Sequence, residues 1–129
     1  MIEVHGEQVR LTLPTTPHLL RVARLTAAGL AGRLGFSFDE IEDVKIAVDE
    51  LCFALVGARG RPGSLTLLYT LDLGMLVIEG VATYEGTVPE VAPTELSSQI
   101  LAAVVDEHDL SVDGDGLRFR LVKRRTEGS

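Results

Sequence analysis

Apolar and polar positions along the chain fall into segments with two distinct periods. Ile2 to Leu13 alternates, with Val9, Leu11 and Leu13 on one side, and Pro14 stops it, which predicts a strand. The next stretch, TPHLLRVARLTAAGLAGRLGF, places Leu19, Val22, Leu25 or Thr26, Gly29 and Leu30 in a helical rhythm. Thr16 before Pro17 suits its start and Gly35 its end. A second helix is expected from Ser37, which with Glu40 has the spacing of a capping box. Asp39, Glu40, Glu42 and Asp43 load its first turns with negative charge, where the helix dipole favours it. Ile41, Val44, Val48, Leu51 and Leu55 then form a core-facing stripe up to Gly57.

Ser64 to Leu71 and Met75 to Thr83 are β-rich runs around DLG, which reads as a hairpin. After YEGTVPEVAP, a third helix is predicted over TELSSQILAAVVDEHD, from Thr94. In SVDGDGLRFRLV, a turn at DGDG joins two short strands, with Leu117, Phe119 and Leu121 alternating. The order β-α-α-β-β-α-β-β implies an α+β fold: a two-layer sandwich, mostly antiparallel sheet, with three helices on one face. No repeat or linker divides residues 1–129, so one domain is expected.

Composition narrows the function classes. With 129 residues and 46% hydrophobic content, the chain can bury a core without disulfides or a structural metal. Mean hydropathy is +0.24. The net charge of −7, with one basic run at Lys123-Arg124-Arg125, argues against direct nucleic-acid binding. The single cysteine, Cys52, sits on the apolar side of the second helix and reads as a core thiol. One cysteine, no signal-peptide pattern and no membrane-span-length apolar run lead to the expectation of a cytoplasmic protein.

Few constellations carry chemistry. His5, His18 and His108 lack metal-ligand spacing, so no metal is expected. DGDG lacks the later ligands of a calcium loop, there is no Gly-rich phosphate loop, and nothing marks Ser97 or Ser98 as a nucleophile. On the second helix, Asp43, Ile46, Glu50 and Ala54 lie along one stripe. Glu50 could orient a hydroxyl or water as a general base, or simply sit at the solvent edge of an amphipathic helix.

The stretch LGFSFDEIEDVKIAVDELCFALV, Leu34 through Val56, resembles in one gapless register the second-helix signature of anti-sigma factors of the RsbW type. These are serine protein kinases on the GHKL ATPase fold shared with histidine kinases. The resemblance implies that Glu50 falls on the general base of phosphoryl transfer. It also implies departures from the nucleotide site. Ala54 takes the place of the Mg²⁺-coordinating asparagine, Gly80 that of the adenine-reading aspartate, and Ala82 that of the next glycine. Thr94 and Leu96 take the places of lid glycines, which let a backbone approach phosphates closely.

The resemblance therefore implies a regulator that acts by protein binding in a partner-switching pathway, without ATP, Mg²⁺ or kinase activity. Its expected partners are a sigma factor, a STAS-domain anti-anti-sigma protein, or both, and a homodimer is plausible within that family. Arg21 and Arg24 of the first helix are the partner-binding candidates. The alternatives are an active serine kinase that phosphorylates a STAS-type antagonist with Glu50 as base, and a module that senses another small molecule in the old nucleotide cleft.

Overall fold

The computed structural model describes residues 6–57, 60, 62–86, 94–114 and 116–126. The elements run β1 (Glu7–Pro14), a single 3-10 turn (Pro17–Leu19), α1 (Leu20–Arg33), α2 (Phe38–Val56), β2 (Gly63–Asp72), β3 (Met75–Tyr84), α3 (Glu95–Val104), β4 (Glu107–Asp113) and β5 (Gly116–Arg124). All strand pairs are antiparallel, and the sheet order is β1-β2-β3-β5-β4. The α+β sandwich implied by the element order is the architecture found. Ile2 to His5 of the expected first strand lie outside the described residues.

Alternation decides which sheet face meets the helices. Leu65, Leu67, Tyr69 and Leu71 of β2 are buried, as are Leu76, Ile78 and Ala82 of β3 and Leu117, Phe119 and Leu121 of β5. They form one cluster with Ala23, Ala27 and Ala31 of α1, with Val44, Val48, Leu51 and Leu55 of α2, and with Leu101 of α3. Each fully buried Leu, Ile, Val or Phe side chain contributes about 1.5–3 kcal/mol relative to exposure. Cys52 is fully buried in the same cluster, and burial, reinforced by the charge of Asp49, pushes its thiol pKa well up.

Both tyrosines of the chain tie helix to sheet. The Tyr69 hydroxyl donates to the carbonyl of Ala23 at 2.9 Å, and that of Tyr84 to the carbonyl of Leu55 at 2.6 Å. These bonds fix how α1 and α2 lie on β2 and β3, and so fix the site between the helices.

α2 begins with the expected capping box. Ser37 Oγ accepts from the Glu40 N–H at 3.1 Å, and Glu40 Oε1 accepts from the Ser37 N–H at 2.8 Å. The other Glu40 oxygen accepts from the Thr126 N–H at 2.7 Å, which clips the end of the chain to the helix start. Burial alone would raise the Glu40 carboxyl, but the Ser37 and Thr126 amides and hydroxyls outweigh it and hold its pKa at about 2.

The expected helical rhythm of α1 is found, and one expectation, the end of α3, needs correction. The buried stripe of α1 is Leu20, Ala23, Ala27 and Ala31, with Val22 and Leu30 partly buried against the core and Leu25 57% exposed. Alanines carry this face because their small side chains let the helix lie close to its neighbours. α3 ends at Val104, not at Asp109. The Asp106 N–H donates to the Val122 carbonyl, and residues from Glu107 onward pair with β5. The polar run DEHD is thus the start of an edge strand. Charged side chains suit that position because they discourage further strand pairing.

The hairpin at DLG turns through Leu73 and Gly74, both at positive φ (42° and 77°). That is the backbone of the tight two-residue turn that matches strand twist. No helix among the described residues is long and apolar enough to cross a membrane.

Candidate functional site

Helix α2 lies between α1 and α3, and its two adjacent carboxylates separate onto different neighbours. Successive helical residues are about 100° apart around the axis. Asp49 faces α1, where Arg24 Nη1 donates to its Oδ2 at 3.0 Å. Glu50 faces α3, where the Ser97 hydroxyl donates to its Oε1 at 2.6 Å. The latter distance falls in the range of a hydroxyl bonded to an ionised carboxylate.

Ser97 is placed by the start of α3. Thr94 is the N-cap, and its Oγ1 accepts from the Ser97 N–H at 3.0 Å. Both polar groups of Ser97 are therefore engaged, one with the cap and one with Glu50. Farther along, Lys123 Nζ bridges the Val104 carbonyl at 2.8 Å and Asp43 Oδ2 at 3.2 Å, joining β5 to both α3 and α2.

The residues singled out from the sequence do not share one surface. Ala54, four residues after Glu50, is half-buried against the core cluster and carries no oxygen donor. Gly80 is buried in β3 and pairs with Phe119 of β5. A Cβ built on it would lie 2.7 Å from Phe119 Cζ and closer still to Cε2. Glycine is required there because the aromatic ring packs over the backbone. Ala82, also in β3, is fully buried. Thr94 caps α3, and Leu96, in the first turn, is 66% exposed.

Arg21 and Arg24 lie in the first turns of α1. They border a groove of about 390 Å³, together with His18, Asp49, Glu50 and Phe53. Arg24 is half-buried in its ion pair with Asp49, and Arg21 is exposed. Phe53 lies four residues beyond Asp49, on the same face of α2, and is 52% exposed. The groove thus has a cationic wall from α1, a carboxylate wall from α2 and an apolar end. Such an arrangement suits charge-paired contact around an aromatic anchor.

Sequence reasoning set Ser97 aside as a nucleophile and gave Asp49 and Phe53 no role. The helical period does put Asp49 and Phe53 on one face, four residues apart. Nothing local indicates that this face meets α1, or that Ser97 meets a carboxylate 47 residues away. Among the described residues, no group of three or more His, Cys, Asp or Glu side chains is gathered as a metal site.

No family model matches the chain. Curated relatives do. The RsbW serine-protein kinase of Halalkalibacterium halodurans is 46% identical over 66 residues, which is 50% of this chain and 41% of the relative. That of Bacillus cereus is 36% identical over 67 residues, 50% of this chain and 42% of the relative. That of Bacillus thuringiensis is 42% identical over 50 residues, 39% of this chain and 31% of the relative. The match thus spans about two fifths or less of each relative's length. Over about half of its length the chain is thus similar in sequence to RsbW serine-protein kinases, and its fold is an α+β sandwich.

Proposed function

We propose that this chain is a partner-switching regulator of the anti-sigma type, which works by binding protein partners and does not use ATP. The likeness to RsbW serine-protein kinases supports the pathway class. The observation that carries the second half is the packing of Phe119 over Gly80. Where the resembled site has a carboxylate that reads adenine, this chain has no side chain and no room for one.

Two further features support the same reading. Ala54 offers no oxygen to Mg²⁺, a cation that takes oxygen ligands. Glu50 already accepts the Ser97 hydroxyl, so α3 rests against the helix beside which a nucleotide would have to lie. These residues do not fit a magnesium nucleotide.

The partner-facing surface in this reading is the start of α1 with the adjoining groove, and Arg24 and Arg21 are its anchors. The partners are a sigma factor and a STAS-domain antagonist. The sheet face turned away from the helices carries half-buried Leu68 and Val81 beside Arg10, Glu79 and Arg118. Charges of both signs around apolar residues suit a homodimer built on that face.

The test is co-purification from the native host, with wild type and Arg24→Glu in parallel. A sigma factor or STAS protein should accompany the wild type and be lost with the variant, while the variant's thermal midpoint stays unchanged. Equal recovery with both proteins would refute the assignment of the surface. Recovery of neither partner class with wild type would refute the function.

The likeness to RsbW serine-protein kinases favours a second reading, an active serine kinase with Glu50 as general base once Ser97 is displaced. Incubation with labelled ATP and a STAS-domain antagonist separates the two. Transfer of label to the antagonist, lost in Glu50→Gln, would establish the kinase.

A further inference from the structure

The chain carries a net charge of −7, yet one wall of the groove between α1 and α2 is built from His18, Arg21 and Arg24. Asp49 and Glu50 face Arg21 and Arg24 across the groove, so its charges balance in number, and what it can receive depends on which of them are already paired. Among the described residues Arg21 makes no ion pair, so its guanidinium is free to form one. Arg24 is already held by Asp49, but the pair is 35% and 44% exposed at its two side chains. Ion pairs this wet contribute little, because each charge is nearly as well solvated apart. The Arg24–Asp49 contact can therefore be exchanged for another carboxylate at small cost. Phe53, half exposed on the same face of α2 as Asp49, gives such an exchange an apolar footing.

We propose that Asp49 is an internal competitor, a carboxylate of the chain that occupies Arg24 until an acidic segment of a protein partner displaces it. The partner presents two acidic side chains flanking an aliphatic one. One carboxylate takes Arg24 from Asp49, the other pairs with Arg21, and the aliphatic side chain covers Phe53. This deepens, and rests on, the reading of α1 as a partner-binding surface. Asp49 then sets the affinity. It holds the unoccupied groove in order, and its charge must be displaced each time a partner binds. A nucleic-acid strand fits less well, since Asp49 and Glu50 line the same groove and would repel successive phosphates.

The probe is the synthetic peptide acetyl-Asp-Glu-Leu-Leu-Asp-Glu-amide, titrated into the full chain and followed by amide chemical shifts. Shifts should concentrate at Arg21, Arg24 and Phe53. Asp49→Asn should tighten binding by about three- to five-fold, the most that an exposed ion pair is worth. Arg21→Glu should weaken it by about ten-fold or more. Asp39→Asn removes the same charge ten residues away on α2, roughly 15 Å along the helix, and should leave affinity unchanged.

Equal affinity for wild type and Asp49→Asn, or equal tightening by Asp39→Asn, would overturn the competitor. So would failure of the peptide to bind, or preferential binding of an oligothymidylate. The captured-partner experiment fails separately. Recovery of neither partner class with wild type, alongside a peptide series that behaves as expected, overturns the assignment of function and leaves Asp49 as competitor.

Discussion

On its α1 side, helix α2 offers Asp49 and Phe53 to an open groove, where an ion pair stays roughly 40% exposed and a phenyl ring is half in water. On its other side the same helix faces α3 and the sheet, where Glu50 is bonded to Ser97, Ala54 rests on the core and Phe119 fills the space beside Gly80. The difference lies in where polar capacity is still uncommitted. In the groove, Arg21 has no ion pair among the described residues and Arg24 has a weak one. Toward α3 and the sheet, the polar groups of Glu50 and Ser97 are bonded to each other and Gly80 is covered by the Phe119 ring. The proposed partner surface is accordingly the α1 side, where charged side chains remain open to exchange.

Substitutions should respect this contrast, and the largest effect is expected in the packed region. Gly80→Asp forces a carboxylate into the Phe119 ring and buries its charge, and should lower stability by about 3 kcal/mol or more in urea unfolding. Near wild-type stability would mean that space exists there after all, and would break the contrast.

At the start of α2, away from both sides, Glu40→Ala removes the reciprocal cap and the clip to Thr126, and should cost about 2 kcal/mol. The same residue gives a pH signature. Its folded pKa of about 2 lies below the ordinary 4.5, so its contribution is present above pH 4.5. That contribution fades as pH falls from 4.5 towards 2. Acid titration of wild type and Glu40→Ala should show the stability difference shrinking across that window, and a constant difference would contradict it.

Ser97→Ala should cost about 1 kcal/mol, since the hydrogen bond is charge-assisted but part-exposed. Hydrogen exchange should rise in α3 first, which sharpens the picture of α3 as held down by this contact. Arg21→Glu should change stability by no more than about 0.5 kcal/mol, because an exposed side chain without an ion pair holds nothing together. A larger loss in thermal unfolding would show that the groove is structural.

Much of the fold was legible because local signals agreed with the final packing. The capping box at Ser37 and Glu40, the apolar stripe of α2 and the alternation in β2, β3 and β5 all survive intact. The apolar rhythm of α1 located the helix but not the centre of its buried face, which Ala23 and Ala27 hold while Val22 flanks it and Leu25 is exposed. Close approach to the core selects small side chains over hydrophobic ones. The end of α3 was misjudged because DEHD is compatible with a helix surface, and only pairing with β5 makes it a strand.

At the site, Glu50 and Arg24 could be found from a linear pattern. The partners that define their roles could not. Asp49 and Glu50 are neighbours in sequence, yet the turn of the helix sends one to Arg24 and the other to Ser97. Gly80 read as a missing side chain. Its positive content, room for the ring of Phe119 on the adjacent strand, needs the sheet register to be seen.

Calorimetric titration of the full chain with ATP in the presence of Mg²⁺ tests the central claim most directly. No saturable heat is expected up to roughly 1 mM nucleotide, a limit corresponding to about −4 kcal/mol of binding. Saturable binding at micromolar concentration, with one nucleotide per chain, would contradict it.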